Sequence, residues 1–138
     1  MNTRNQLVCA WSALGFAVIA LAGYLLADFI PPISPDLDAV AVAAIYKENT
    51  LSMRLGVLLI MSSACFICSF AAALASVMRH IEGGTGPYTM TQLGGGCVSS
   101  LIFVICGVFF TGAAFRPDQA PEMLRMLNDL GWITMLMT

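Results

Sequence analysis

This sequence is short of charge. Only 10% of its 138 residues are charged, six Lys+Arg against eight Asp+Glu, whereas 59% are hydrophobic. A typical soluble domain carries about 25% charged residues, so these charges are too few to coat a water-facing surface. The apolar excess excludes a disordered chain. A net charge of −2 without a basic stripe excludes nucleic acid as a partner. The remaining class is an integral membrane protein surrounded by the lipid bilayer.

Groups that carry chemistry are also scarce. His80 is the only histidine, so a bis-histidine haem or a histidine-rich metal site cannot form within this sequence. The long apolar runs contain no Asp, Glu, Lys, Arg or His, which pumps and ion pathways need at membrane depth. Cys65 and Cys68 form a CxxC, but no flanking charge activates either thiol, and we interpret both as small packing residues. The sequence predicts no catalytic site, metal site or cofactor, and it disfavours an enzyme without excluding one.

Three long uncharged runs define the architecture. They cover residues 7–27, 55–78 and 93–115, and each reaches the ~20 helical residues that cross a bilayer core of ~30 Å. A helix satisfies its own backbone hydrogen bonds in lipid. We therefore expect an all-α integral membrane bundle of three transmembrane helices, forming a single domain over residues 1–138.

The first loop predicts a short amphipathic surface helix over residues 35–48. Ser34 is the expected cap, and Pro35 suits the first helical position. Tyr46 is expected at headgroup depth, with the helix lying on the membrane surface or over the bundle. The apolar face at helical spacing consists of Leu37, Val40, Ala41, Ala44 and Ile45.

Apolar residues return at the end of the sequence, where we expect a partial helix over residues 121–138. Residues 130–138 climb only ~14 Å as a helix, so they cannot cross a bilayer alone. Either this segment lies at the interface or re-enters the membrane, or it begins a fourth helix of a longer protein. We favour the fourth helix, because an apolar terminus is a poor place for a chain to stop.

Small residues recur every four positions in the second and third runs. In lipid, helices associate through close packing of such residues. Either these faces meet inside one bundle or one of them binds a neighbouring subunit. The first run offers a further pair, Ala13 and Ala17. The predicted packing or partner-interface residues are Ala64, Cys68, Ala72, Ser76, Gly95, Gly96, Ser99, Ser100 and Gly107.

The charges of the loops give conflicting signals about orientation. The first and third loops carry Lys47, Arg54, Arg116 and Arg125, whereas the N-terminus and second loop carry Arg4 and Arg79. Counting Lys and Arg places the long loops inside. These loops are also larger and acidic, and the opposite side carries the free amine. We favour an N-terminus inside.

Three segments resemble a group of bacterial integral membrane proteins with several helices and no assigned activity. The segments are Ile30–Asp36, Arg54–Gly56 and Leu127–Trp132. Members of that group look like six-helix chains, of which this sequence resembles the N-terminal half. The resemblance implies the bacterial inner membrane and transfers no site residue.

Two functions of different classes fit these features. The first is a non-catalytic accessory or scaffolding subunit that packs against other subunits of a larger membrane complex. The second is a carrier or binding protein for an apolar small molecule such as a lipid, sterol, quinone or hydrocarbon. The uncharged helices rich in Phe and Met suit either function.

Overall fold

The computed structural model describes the backbone of residues 3–136 and the side chains of residues 7–136. Its helices are α1 (Thr3–Leu26), α2 (Ala39–Glu48), α3 (Thr50–Ile81), α4 (Pro87–Phe115) and α5 (Pro121–Leu136). These residues contain no strand, so the predicted all-α class is confirmed. Helices α1, α3 and α4 are long and apolar enough to cross a membrane, as the three uncharged runs predicted.

All three long helices extend past the uncharged runs that predicted them, and α1 begins at Thr3 instead of 7. Helix α3 begins at Thr50 instead of 55 and ends at Ile81 instead of 78, and α4 begins at Pro87 instead of 93. An uncharged run marks the stretch that suits lipid, whereas a helix ends where its backbone hydrogen bonds end. Helical turns therefore continue through the polar residues on either side of the apolar stretch.

Helix α3 is central, with α1 antiparallel on one side. Backbones approach most closely where Gly23 of α1 meets Gly56 of α3. A Cβ atom added to Gly56 would lie 2.6 Å from the Gly23 carbonyl oxygen and 2.7 Å from the Ala27 Cβ. Near the middle of α1, the Ser12 hydroxyl lies within hydrogen-bond distance of two carbonyl oxygens, that of Cys9 in its own helix and that of Phe66 in α3, the latter at 3.2 Å. The spacing of small residues in α1 pointed to Ala13 and Ala17 and did not predict this glycine pair.

A five-residue turn joins α3 to the antiparallel α4. Gly83 has φ +69°, a left-handed conformation that glycine adopts without strain. The Glu82 carboxylate accepts hydrogen bonds from the Thr89 hydroxyl at 2.6 Å and from the backbone N–H groups of Tyr88 and Thr89, both at 3.0 Å. These bonds, the Thr89 hydroxyl first, hold the pKa of Glu82 below its usual value. Glu82 thus satisfies the first N–H groups of α4.

Helix α2 differs from its prediction in start, cap and buried face. It begins at Ala39, and Asp38 is the cap, accepting from the Ala41 N–H at 2.8 Å. Ser34 is not the cap; its hydroxyl accepts from the Asp36 N–H at 3.3 Å. The predicted apolar face is right only in part: Leu37 and Ile45 pack against the core, but Val40 is 67% exposed. Ala and Val occur on all sides of α2, so periodicity offered no contrast. The residues that are buried are Ala39, Val42, Ala43 and Tyr46.

Helix α5 runs back alongside α4 and covers the predicted partial helix, apart from residues 137–138, which lie outside the described residues. Arg125 and Asp129, four positions apart in α5, form an ion pair at 3.9 Å. A second ion pair, Lys47 to Asp118 at 3.3 Å, links α2 to the segment before α5. Helices α2, α3, α4 and α5 and residues 27–33 together supply the large buried side chains of the half of the bundle that α5 covers.

Candidate functional site

Three rings form an aromatic cluster where the chain after α1 meets α4 and α5. Phe29 lies 4.6 Å from Phe110 and 5.6 Å from Trp132, and Phe110 lies 5.4 Å from Trp132, all between ring centroids. Gly131 allows this approach, because a Cβ atom there would lie 2.6 Å from the Phe110 ring. The Trp132 Nε1–H is buried there without a hydrogen-bond partner among the described residues. The aromatic cluster is therefore a close-packed apolar contact between α4, α5 and the segment after α1.

A buried polar pair lies beside this cluster. The Tyr46 hydroxyl of α2 donates to Asn128 Oδ1 of α5 at 3.1 Å, and Tyr46 and Asn128 are 0% and 2% exposed. Burial, and then the nearby Asp129 carboxylate, raises the pKa of Tyr46. The phenol therefore stays protonated and remains a donor at physiological pH. The pair joins α2 to α5 and fixes which face of α2 is buried.

The structure brings several of the predicted packing residues together between α3 and α4. The Ser100 hydroxyl donates to the Ala64 carbonyl at 2.8 Å, and both residues are buried. Gly96 lies directly against the Ala71 side chain. Gly107 is buried, and its neighbour is the Met61 side chain. These positions occupy one continuous contact between antiparallel helices.

Other predicted packing residues lie outside this contact. Ala72 and Gly95 are exposed, and a Cβ atom added to Gly95 would meet no atom within 4 Å. Cys68, Ser76 and Ser99 are half-buried. Some of the predicted packing residues therefore form the contact between α3 and α4, and the others lie outside that contact.

Two adjacent grooves follow α3 on the half of the bundle that α5 does not cover. The phenylalanine groove, between α1 and α4, has a volume of about 330 Å³. The glycine groove, between α3 and α4, has a volume of about 280 Å³. The two grooves share Ile67 and Phe70. The phenylalanine groove is lined by Ala13, Phe16, Phe66, Ile67, Phe70 and Phe103. The residues found only in the glycine groove are Ala71, Leu74, Thr91, Gln92, Gly95, Gly96 and Ser99.

The side chains that line these two grooves can bind a partner through apolar contacts and weak hydrogen bonds. The phenylalanine groove presents aromatic and aliphatic carbon, whereas the glycine groove adds hydroxyl and amide groups to an exposed backbone. Within residues 3–136, no three His, Cys, Asp or Glu side chains are grouped so as to hold a metal ion. Cys65 is exposed, Cys68 is half-buried, and neither is in a disulfide. Both grooves are therefore suited to apolar or helical partners.

Sequence reasoning missed the residues that define the covered half of the bundle. Asn128 carried a usable signal, because it shares one face of a helix with Leu124 and Gly131. The charged residues Glu122, Arg125 and Asp129 lie off that face. An uncharged polar residue on such a face commonly has a buried partner. The partner, Tyr46, lies in a different helix and could not be named from spacing.

Comparisons of the chain with protein-family sequence profiles, with curated proteins and with solved structures return no match. The fold alone therefore defines the class, a helical bundle in which three helices are long and apolar enough to cross a membrane.

Proposed function

We propose that this chain is an integral membrane protein that serves as a non-catalytic accessory or scaffolding subunit, packing against helices of a larger membrane complex. The membrane location is supported by the outward faces of the long helices. On α1 the large residues that are more than half exposed include Leu7, Trp11, Leu14, Val18, Leu21 and Leu25. Such a surface is costly in water and favourable in lipid.

The glycine groove is the observation that carries the subunit proposal. Gly95 leaves the α4 backbone open to close approach, and Thr91, Gln92 and Ser99 provide polar groups beside it. In an apolar medium, small residues let two helices approach, and hydroxyl and amide groups hydrogen-bond between them. A helix from another subunit has the shape and chemistry to occupy this groove.

A pair of neighbouring glycines tests this function. Gly94 and Gly95 each have nothing within 4 Å of an added Cβ, so both should accept a leucine without disturbing the fold. Only Gly95 lines the groove. We expect Gly95→Leu to lose co-purifying subunits in native mass spectrometry of gently solubilised membranes, and Gly94→Leu to retain them. Unchanged subunit content in Gly95→Leu would contradict the proposal.

A carrier of an apolar small molecule is the second candidate, favoured by the phenylalanine groove. Four phenylalanine rings line about 330 Å³, a volume within the usual range of small-molecule sites. Ala13→Leu fills this groove, whereas Ala17→Leu adds the same side chain at an exposed position. A bound apolar mass that disappears in Ala13→Leu and persists in Ala17→Leu would favour the carrier over the subunit.

For the location we propose the bacterial inner membrane with the N-terminus inside. The resemblance supports the membrane, and the size and acidity of the first loop and of the segment from Arg116 through α5 support the orientation. Reporter fusions at Gly84, in the short turn, and at Gln119, after α4, test this topology. Activity of a cytoplasmic reporter at Gly84 and of a periplasmic reporter at Gln119 is expected, and the reverse pattern would contradict the orientation.

A further inference from the structure

A third groove lies on the outer surface between α3 and α4, at the end where α3 begins and α4 ends. It has a volume of about 700 Å³ and is larger than the two grooves described above. Its walls are apolar and include Leu55, Leu58 and Val108, and its outer end carries Arg54 and Arg116. We call it the arginine groove.

The two arginines place positive charge at one end of this apolar surface. Neither guanidinium has a carboxylate within salt-bridge distance among the described residues. Arg54 donates through Nε to the Ala114 carbonyl at 3.0 Å and through Nη2 to the Phe115 carbonyl at 2.8 Å. A guanidinium has five N–H donors, so these two bonds leave Arg54 with further donors. Arg54 therefore caps the end of α4 and remains able to bind an anion.

The neighbouring acidic side chain does not neutralise this charge. Asp118 follows Arg116 by two positions, but its carboxylate is paired with Lys47 at 3.3 Å. The last carbonyls of α4 attract cations to this end of the helix. Arg116 is exposed and has no carboxylate partner among the described residues, so its guanidinium is able to bind an external anion.

The length of the groove also limits its occupant. From Arg54 to Met61 the α3 wall rises ~10 Å, at about 1.5 Å per residue. A ligand that fits has an anionic group at the arginine end and an apolar chain running at least this far along the helices. We propose that the arginine groove binds an anionic phospholipid, with the headgroup phosphate at Arg54 and Arg116 and an acyl chain against Leu58 and Val108. This inference rests on the proposed membrane location and is independent of the proposed subunit role.

Lipid retention measured by native mass spectrometry tests the site. The purified protein is exchanged into detergent with phosphatidylglycerol or phosphatidylcholine of identical acyl chains. An exposed ion pair strengthens binding by up to about fivefold. We expect preferential retention of one phosphatidylglycerol, and Arg116→Gln should reduce that preference by about fivefold. The control is Arg79→Gln at the other end of α3, which should leave the preference unchanged.

A second variant tests the acyl-chain wall. Leu58→Trp fills the groove at a position that is 60% exposed, and Leu101→Trp makes the same change at an equally exposed position outside it. We expect loss of the retained lipid in Leu58→Trp alone. Equal retention of both lipids, or a dimer mass that phosphatidylglycerol does not displace, would overturn the lipid site.

Alkaline extraction separates this inference from the membrane location on which it rests. Protein that stays in alkaline-washed vesicles but shows no preference for the anionic lipid keeps the location and overturns the lipid site. Protein that the alkaline wash removes overturns both.

Discussion

The close crossing of α1 and α3 gives the sharpest test of the packing described here. Gly56→Ala adds one methyl group at the point where the two backbones meet. Its Cβ would lie 2.6 Å from both the Ala27 nitrogen and the Gly23 carbonyl oxygen, whereas ordinary contacts begin near 3.4 Å. Backbone atoms cannot rotate away as a side chain can, so α1 must move from α3 by about 1 Å.

The expected cost follows from two opposing effects. Overpacking of a well-packed contact costs about 1–3 kcal/mol, and rigid backbone on both sides favours the upper half of this range. Replacing Gly by Ala inside a helix returns about 1 kcal/mol. The net loss of unfolding free energy is therefore about 1–2 kcal/mol, which is roughly a 5- to 30-fold change in the unfolding equilibrium.

The measurement is unfolding by sodium dodecyl sulfate in mixed micelles, followed by far-ultraviolet circular dichroism. The matched control is Gly94→Ala, which makes the same change within α4 where nothing lies within 4 Å of the new Cβ. That variant should be as stable as the parent or up to about 1 kcal/mol more stable. If Gly56→Ala were no less stable than Gly94→Ala, the close crossing would be refuted.

The same unfolding assay checks three further predictions. Tyr46→Phe removes the donor to buried Asn128 and should lower the unfolding free energy by about 1–3 kcal/mol. The control Tyr88→Phe changes a residue that is 72% exposed and should have little effect. Equal effects of the two variants would contradict the role of the buried pair. Phe110→Ala empties the centre of the aromatic cluster and should cost about 3–5 kcal/mol; a loss below 1 kcal/mol would mean that the cluster is loosely packed. Because folding lowers the pKa of Glu82, the stabilisation that its carboxylate provides is fully present above its usual pKa of 4.5 and is lost as the pH falls through the lower pKa of the folded state. Glu82→Gln should remove this part of the dependence of stability on pH. An unchanged profile of stability against pH in Glu82→Gln would contradict this role of Glu82.

For helix α2, local sequence patterns predicted that a helix forms but not which of its faces is buried. The sequence placed a short helix in the first loop, since proline ends α1 and capping residues follow. It did not determine the face, because small apolar residues surround the helix and leave little contrast in periodicity. Tyr46 is buried and donates a hydrogen bond to Asn128, 82 positions later. A contact at that separation has no local signature.

The small residues of the long helices show a similar boundary. Spacing identified Ala64, Gly95, Gly96 and Ser100 as packing candidates in lipid. Gly95 and Gly96 are adjacent, and only Gly96 meets a side chain within the chain, that of Ala71. Which glycine faces inward depends on the rotation of α4 about its axis. That rotation is fixed by contacts such as the Ser100–Ala64 hydrogen bond.

The sequence by itself determined the all-α class and three helices suited to a membrane, because hydropathy and length are properties of each segment taken alone. It also identified the scarcity of groups that carry chemistry. The tertiary structure decided which faces pack, where α2 and α5 join the bundle, and where grooves remain open. Those features depend on side chains far apart in the chain, and only the folded arrangement of the helices brings them within contact distance.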